Sequence, residues 1–208
     1  MNRTNIYIDA FNLYFGALKE TPFRWLNITK LCRVLLPKND IKNIKYYTAL
    51  VKPRKNDPNQ PIRQQTYLRA LKTLPEVTII YGHFLSHEIE MPLAESIDGK
   101  LQYVKVIKTE EKGSDVNIAT HLINDAYKNE YDIAVIVSND SDLLEPIKII
   151  TSELKKIVGI LNPHKYPSRV LLRYASFYKP IRKGVLEISQ FPKNMKDNIG
   201  IFTKPESW

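Results

Sequence analysis

Apolar residues along this chain fall into short unbroken runs, separated by longer stretches in which they recur every three to four positions. The runs at Asn5–Asp9, Ile44–Val51, Val77–Phe84, Tyr103–Lys108, Ile133–Val137 and Ile157–Leu161 are rich in β-branched and aromatic residues and predict strands. The periodic stretches at about Ile28–Leu35, Ile62–Leu74, Val116–Lys128, Leu143–Ser152 and Ser168–Tyr174 predict helices. A continuous apolar run suits a strand buried on both faces, and strands alternating with helices of this length build βαβ units. The pattern therefore predicts an α/β protein of the doubly wound class, with a mostly parallel sheet covered on both sides.

Two segments break the alternation. Lys52–Pro61, KPRKNDPNQP, packs three prolines and three basic residues directly after a strand and predicts a loop suited to clamping a phosphate backbone through Lys52, Arg54 and Lys55. Glu88–Gly99 has few periodic apolar positions and ends in Asp98–Gly99, which predicts a β-excursion or hairpin before Tyr103–Lys108.

The polar residues that end the runs carry the candidate chemistry. Asp9 in NIYIDAFNLYF and Asp140 with Asp142 in IAVIVSNDSDLLEP stop apolar strands abruptly, and Asp115 in EEKGSDVNIA opens a helix. Ligands of open α/β sheets bind beyond the carboxyl ends of the strands, so acids gathered there are candidates for holding a divalent cation. Helix capping accounts for some of them: Ser114 or Asp115 can cap one helix, and Ser141 or Asp142 the next. Neither Asp9 nor Asp140 is needed as a cap on this reading. Carboxylates brought together repel and raise one another's pKa unless a cation neutralises them, for which Mg²⁺ or Mn²⁺ is the simplest choice.

Composition narrows the setting. The chain of 208 residues, 43% hydrophobic, is long enough for one α/β domain with a tail. Its one cysteine, Cys32, allows no internal disulfide, and no stretch approaches the roughly 18 apolar residues of a membrane span. A soluble, cytoplasmic protein with no membrane attachment is expected. The formal charge of +9 is uneven: residues 155–208 hold eleven Lys and Arg against three acids, a net of +8, which leaves +1 for residues 1–154. A basic tail beside an acid cluster fits a polyanionic substrate, with Arg169, Arg173, Arg182 and Lys183 among the candidate backbone contacts; a merely soluble surface explains the charge equally well. Tyr46, Tyr47, Tyr166, Tyr174, Phe177 and Tyr178 suit base stacking, although core packing is the commoner use. The histidines have no zinc spacing, and no glycine-rich phosphate loop is present among only seven glycines.

The segments YIDAFNLYF, EEKGSDVNIA, VIVSNDSDLLEPI and KIVGIL, in this order, resemble the NYN domains of the PIN-like nuclease superfamily, in particular the LabA-like branch. The likeness runs from about Asn5 to Leu161, with SQFP and KPESW further along resembling the tail of that branch. The resemblance implies a three-layer α/β/α PIN-like fold over residues 1–162, followed by a basic C-terminal extension, 163–208, packed on the same domain. It also implies a metal-dependent ribonuclease site in which Asp9, Asp115 and Asp140 are the metal-binding acids, Asp142 completes the late pair and Asn12 is the polar partner one turn on. One position departs from the family: His121 stands where many relatives have an acid, so Glu110 or Glu111 compensates, the site is sparser, or activity is reduced.

Together these features predict an endoribonuclease using Mg²⁺ or Mn²⁺ on RNA. The RNA is expected to be single-stranded, because no module for reading base edges is evident. Two alternatives remain: a non-catalytic nucleic-acid-binding regulator on the same fold, which His121 favours, and phosphoryl transfer on a small molecule. The oligomeric state is left open, a homo-oligomer included.

Overall fold

Strands that read as unbroken apolar runs lie at the centre of a sheet. In the computed structural model, which describes residues 1–95 and 101–208, six strands form one all-parallel sheet. They are β1 (Arg3–Asp9), β2 (Asp40–Thr48), β3 (Val77–Tyr81), β6 (Ile133–Val137), β7 (Ile157–Asn162) and β8 (Phe177–Pro180), in the order β3-β2-β1-β6-β7-β8. β1 is buried from Thr4 to Asp9 and β6 along its whole length. Their alternate side chains feed two separate cores. Ile6, Ile8, Val135 and Val137 meet α2 (Ile28–Leu35), α3 (Gln60–Leu71) and α7 (Lys183–Ile188). Tyr7, Ala134 and Ile136 meet α4 (Ser114–Tyr127), α5 (Leu144–Lys148) and α6 (Arg169–Tyr174) on the other face. The result is the three-layer α/β/α arrangement expected from the pattern.

The chain runs outward from β1 through β2 to β3, then returns to lay β6 against the other side of β1. The sheet order therefore reverses between β1 and β6, which opens a crevice at the carboxyl ends of those two strands. The short α1 (Ala10–Leu13) and the π-type turn Tyr14–Leu18 leave directly from the end of β1 into it.

The structure departs from the pattern in two places. The run Val77–Phe84 divides at Gly82, where the chain turns out of the sheet and passes so close to Lys112 that a Cβ would lie 2.6 Å from its carbonyl oxygen. Beyond it, β4 (His83–Pro92) and β5 (Tyr103–Lys112) form a separate antiparallel ribbon, so Tyr103–Lys108 is not a strand of the parallel sheet. Ten residues separate Pro92 from Tyr103, which suits an antiparallel connection, whereas a parallel neighbour needs a crossover of about a dozen or more. The ribbon agrees with the predicted excursion; its expected turn at Asp98–Gly99 lies outside the described residues. The helix expected at Leu143–Ser152 is composite, a 3₁₀ turn at Ser141–Leu143, then α5, then a π-type turn at Ile149–Glu153.

After β8 the chain wraps back to the first core. Trp25, fully buried, packs against Phe191, Phe202 and Trp208 at centroid distances of 5.7, 6.4 and 6.3 Å, and its Nε1 donates to the Pro192 carbonyl at 2.8 Å. Arg69 on α3 grips Asp197 with two bonds of 2.7 Å beside the hairpin of β9 (Asn194–Lys196) and β10 (Ile201–Thr203). No helix among the described residues is long and apolar enough to cross a membrane.

Candidate metal centre and cleft

Asp9 is the last residue of β1 and is only 6% exposed. It caps α1: Oδ1 accepts from the Asn12 amide at 2.9 Å, and Oδ2 accepts from Ser138 Oγ at 3.3 Å. Burial is the main cause that pushes its carboxyl up to about 6, helped by Asp115 and Asp140 and opposed by the bonds from Asn12 and Ser138. Asn12 ties the two strand ends together, because its Oδ1 accepts from the Asn139 amide at 2.9 Å.

Asp140 sits in the loop after β6. Its amide donates to Ser138 Oγ at 3.1 Å, and its Oδ1 accepts from the Asp142 amide at 3.0 Å. Asp9 and Asp140 therefore do cap short helical turns, contrary to the expectation that capping requires neither. Each can do so through one carboxylate oxygen and keep the other lone pairs for a ligand. Asp115 arrives on α4 from the opposite side. Gly113, at φ +101°, turns β5 into the helix in a conformation that favours glycine, so no side chain among the described residues caps α4, and Asp115 lies in its first turn. Burial raises the Asp115 carboxyl, as do Asp140, Glu111 and Asp142 in that order.

One oxygen from each of Asp9, Asp115 and Asp140 lies within 4.8 Å of the others. None of the three is in an ion pair among the described residues. An all-oxygen, anionic, partly buried donor set left without a protein cation fits a hard divalent metal ion. Asp142 is exposed beside this group, near enough to raise Asp115 but not one of the converging three.

The family's missing acid is not replaced by His121. That side chain lies against Tyr47, with Nδ1 3.0 Å from the phenolic oxygen, outside the acid group; burial first, then Lys45, lowers its pKa. Glu110 is paired with Lys108 and Lys112 at 2.7 and 3.1 Å, which pulls its carboxyl down to about 2. Glu111 instead accepts from Ser114 Oγ at 2.9 Å and lines the same cleft as the three acids.

That cleft, about 590 Å³, runs from the acids over the end of β2 to the start of α3 and Trp208. Of the basic residues singled out in the sequence, Arg54 lines it, while Lys52 and Lys55 lie exposed on the neighbouring loop. Arg169, Arg173, Arg182 and Lys183 are exposed on α6 and at the start of α7, and none lines the cleft. Of the aromatics proposed for stacking, only Tyr46 lines it, and it is buried. Sequence reading missed Arg24, Arg63, Gln60, His164 and Trp208, which share the cleft. Their only advance signal was the proline-rich loop predicted over Lys52–Pro61, whose last two residues, Gln60 and Pro61, instead open α3.

Comparison with known proteins agrees with the architecture. The chain is 27% identical over 235 aligned residues to 6-hydroxy-3-succinoylpyridine 3-monooxygenase HspA of Pseudomonas putida (strain DSM 28022 / S16), a match covering 99% of this chain and 75% of that protein. A crystal structure of VPA0982, a protein of unknown function from Vibrio parahaemolyticus RIMD 2210633, superposes with a TM-score of 0.58 at 18% identity, covering 88% of this chain and 94% of the other. That likeness establishes the fold. Residues 3–181 match the family model of the NYN domain. The chain belongs to the NYN domain family and has its PIN-like, nuclease-type fold.

Proposed function

We propose that this NYN-domain protein is a divalent-metal-dependent ribonuclease acting on single-stranded RNA. The observation that carries this reading is the convergence of Asp9, Asp115 and Asp140 without a protein cation to balance them. Mg²⁺ or Mn²⁺ held by these three would supply an ionised water and neutralise charge on the phosphodiester. The protein's own groups do the rest. Asn12 and Ser138 fix the Asp9 carboxylate, and Asp142 adds negative charge beside the metal ligands. Arg54, flanked by Lys52 and Lys55, holds backbone phosphate next to the acids. Arg169, Arg173, Arg182 and Lys183, outside the cleft, steer the strand through their field. The aromatic lining of the cleft, with Phe15 the most exposed of it, suits unpaired bases better than a paired helix.

The test is a Mn²⁺ titration of RNA cleavage with the wild-type protein and Asp140→Asn. Cleavage is expected to require the metal and to fall more than about 100-fold in the variant. Equal cleavage in chelator, or by the variant, overturns the reading. RNA binding with no cleavage at any metal concentration supports a non-catalytic regulator.

A second reading takes the same cleft as a small-molecule site. The Pseudomonas putida relative is named for a monooxygenase acting on a pyridine, and the aromatic lining suits a planar heterocycle. Saturable binding of such a heterocycle by a chain that neither binds nor cleaves RNA favours it.

A further inference from the structure

The cleft wall beside the acids has a chemistry of its own. Three guanidinium groups, Arg24, Arg54 and Arg63, line it against one carboxylate, Asp57. Arg63 is paired with Asp57, while Arg24 is fixed by neutral carbonyls, Thr21 at 3.1 Å and Ser207 at 2.5 Å. Neither Arg24 nor Arg54 is in an ion pair among the described residues. Arg24 is thus held at the cleft wall without a carboxylate partner, and Arg54 shares only the field of Asp57, a carboxylate already paired with Arg63, which suits an anion brought in by a ligand.

Two neutral polar groups in the cleft are also left over. Gln60 Oε1 and His164 Nε2 are buried and have no hydrogen-bond partner among the described residues. The His164 backbone is held in place. Its backbone amide donates to Asn162 Oδ1 at 2.9 Å, and its carbonyl accepts from Asn162 Nδ2 at 2.8 Å. The ring lies so close over Gly16 that a Cβ there would sit 2.7 Å from it. Buried polar atoms are normally satisfied, so a pair of orphans in one cleft marks where a polar ligand edge belongs. Phe15, next to Gly16, keeps 59% of its surface exposed at the cleft.

We propose that this wall is a nucleotide subsite that takes one unpaired nucleotide of the strand. Its phosphate meets Arg24 and Arg54, its base lies on Phe15, and the base edge is read by Gln60 and His164. Gln60 offers an amide, with a donor and an acceptor side by side, and His164 a ring nitrogen that serves as either. The subsite gives the cleft a base preference next to the acids that the phosphate contacts alone cannot provide. It rests on the ribonuclease reading, but its test does not pass through cleavage.

The experiment measures binding in chelator of the four ribonucleoside 5′-monophosphates, the corresponding nucleosides and inorganic phosphate, by calorimetry and by tryptophan fluorescence. Trp208 lines the cleft while Trp25 is fully buried, so an occupant should change the Trp208 emission. Nucleotides should bind at least about tenfold more tightly than phosphate or nucleoside, with a preference among the four bases. Arg54→Ala should weaken all four alike by about tenfold, and Gln60→Ala should flatten the preference while melting as the wild type does. Equal affinity for phosphate and nucleotides makes this an anion site and overturns the proposal. Absence of nucleotide binding in a protein that cleaves RNA with Mn²⁺ overturns the subsite and leaves the nuclease standing. Nucleotide binding with no cleavage does the reverse.

Discussion

Helix α4 carries two acids, Asp115 and Asp125, whose surroundings are opposite in kind. Asp125 is 2% exposed, and its Oδ2 accepts from Tyr7 at 2.6 Å and from Lys45 at 2.5 Å. The fold provides the cation that balances it. Asp115 instead faces Asp140, Glu111 and Asp142, all of its own sign, and has no ion-pair partner among the described residues. A buried acid kept for structure is neutralised from within, because an unpaired buried charge costs several kcal/mol. An acid cluster that the fold leaves unbalanced must draw its counter-charge from outside. Burial alone therefore does not separate the two roles; the pairing does.

The sharpest way to break this comparison is to remove each acid in turn. Asp125→Ala strands the Lys45 ammonium and should cost about 3–5 kcal/mol, roughly a 10 °C fall in melting temperature for a chain of this size. If melting moves by less than about 2 °C, Asp125 is not the structural acid described.

The next largest effect is a pH dependence. The Asp9 carboxyl titrates at about 6 in the folded chain, against 3.8 ordinarily. Below about pH 4 it is protonated in both states and contributes nothing. As pH rises toward 6 the unfolded chain ionises first and binds fewer protons, so stability falls, by up to about 3 kcal/mol across that window, and then levels off. Denaturant titrations in chelator should show this loss, and Asp9→Asn should remove it. Metal affinity should move the opposite way and increase with pH through about 6, since the cation competes with the proton.

Asp115→Asn and Asp140→Asn should leave the metal-free protein as stable as the wild type, or raise its melting temperature by up to about 4 °C. A clear fall in both variants, measured in chelator, would identify them as structural acids of the Asp125 kind. The smallest effect is expected at the surface. Neutralising Arg169, Arg173, Arg182 and Lys183 together should flatten the salt dependence of RNA binding, by about 0.7 in slope for each backbone phosphate they neutralise, and leave turnover of bound RNA unchanged. An unchanged slope reduces these four to a soluble surface.

Much of the frame was legible beforehand. The helix at Ile28–Leu35 and the strand at Ile133–Val137 lie where periodicity places them, because a helix face and a doubly buried strand each write their burial into consecutive residues. Asp9 and Asp140 were legible for a related reason, since a charge that ends an apolar run has to lie at a strand end, and Asp115 because it opens a periodic helix. β8 and the β4–β5 ribbon were less so. β8 is four residues long and half-buried, too short for a period to register, and the ribbon's strands leave most of their residues exposed.

What the linear pattern determined is a parallel sheet covered on both faces and the placing of Asp9 and Asp140 at its carboxyl edge, since both depend on local burial and on strand ends. Only the tertiary structure decided what surrounds them. Arg24, Arg63, His164 and Trp208 reach one cleft from segments far apart in the chain, and no local pattern marks residues whose only common property is the space they enclose. The same holds along α4. Asp115 and Asp125 are equivalent letters on one helix, and they differ because Lys45 and Tyr7 cross from the sheet to meet the second, while among the described residues nothing of opposite charge pairs with the first.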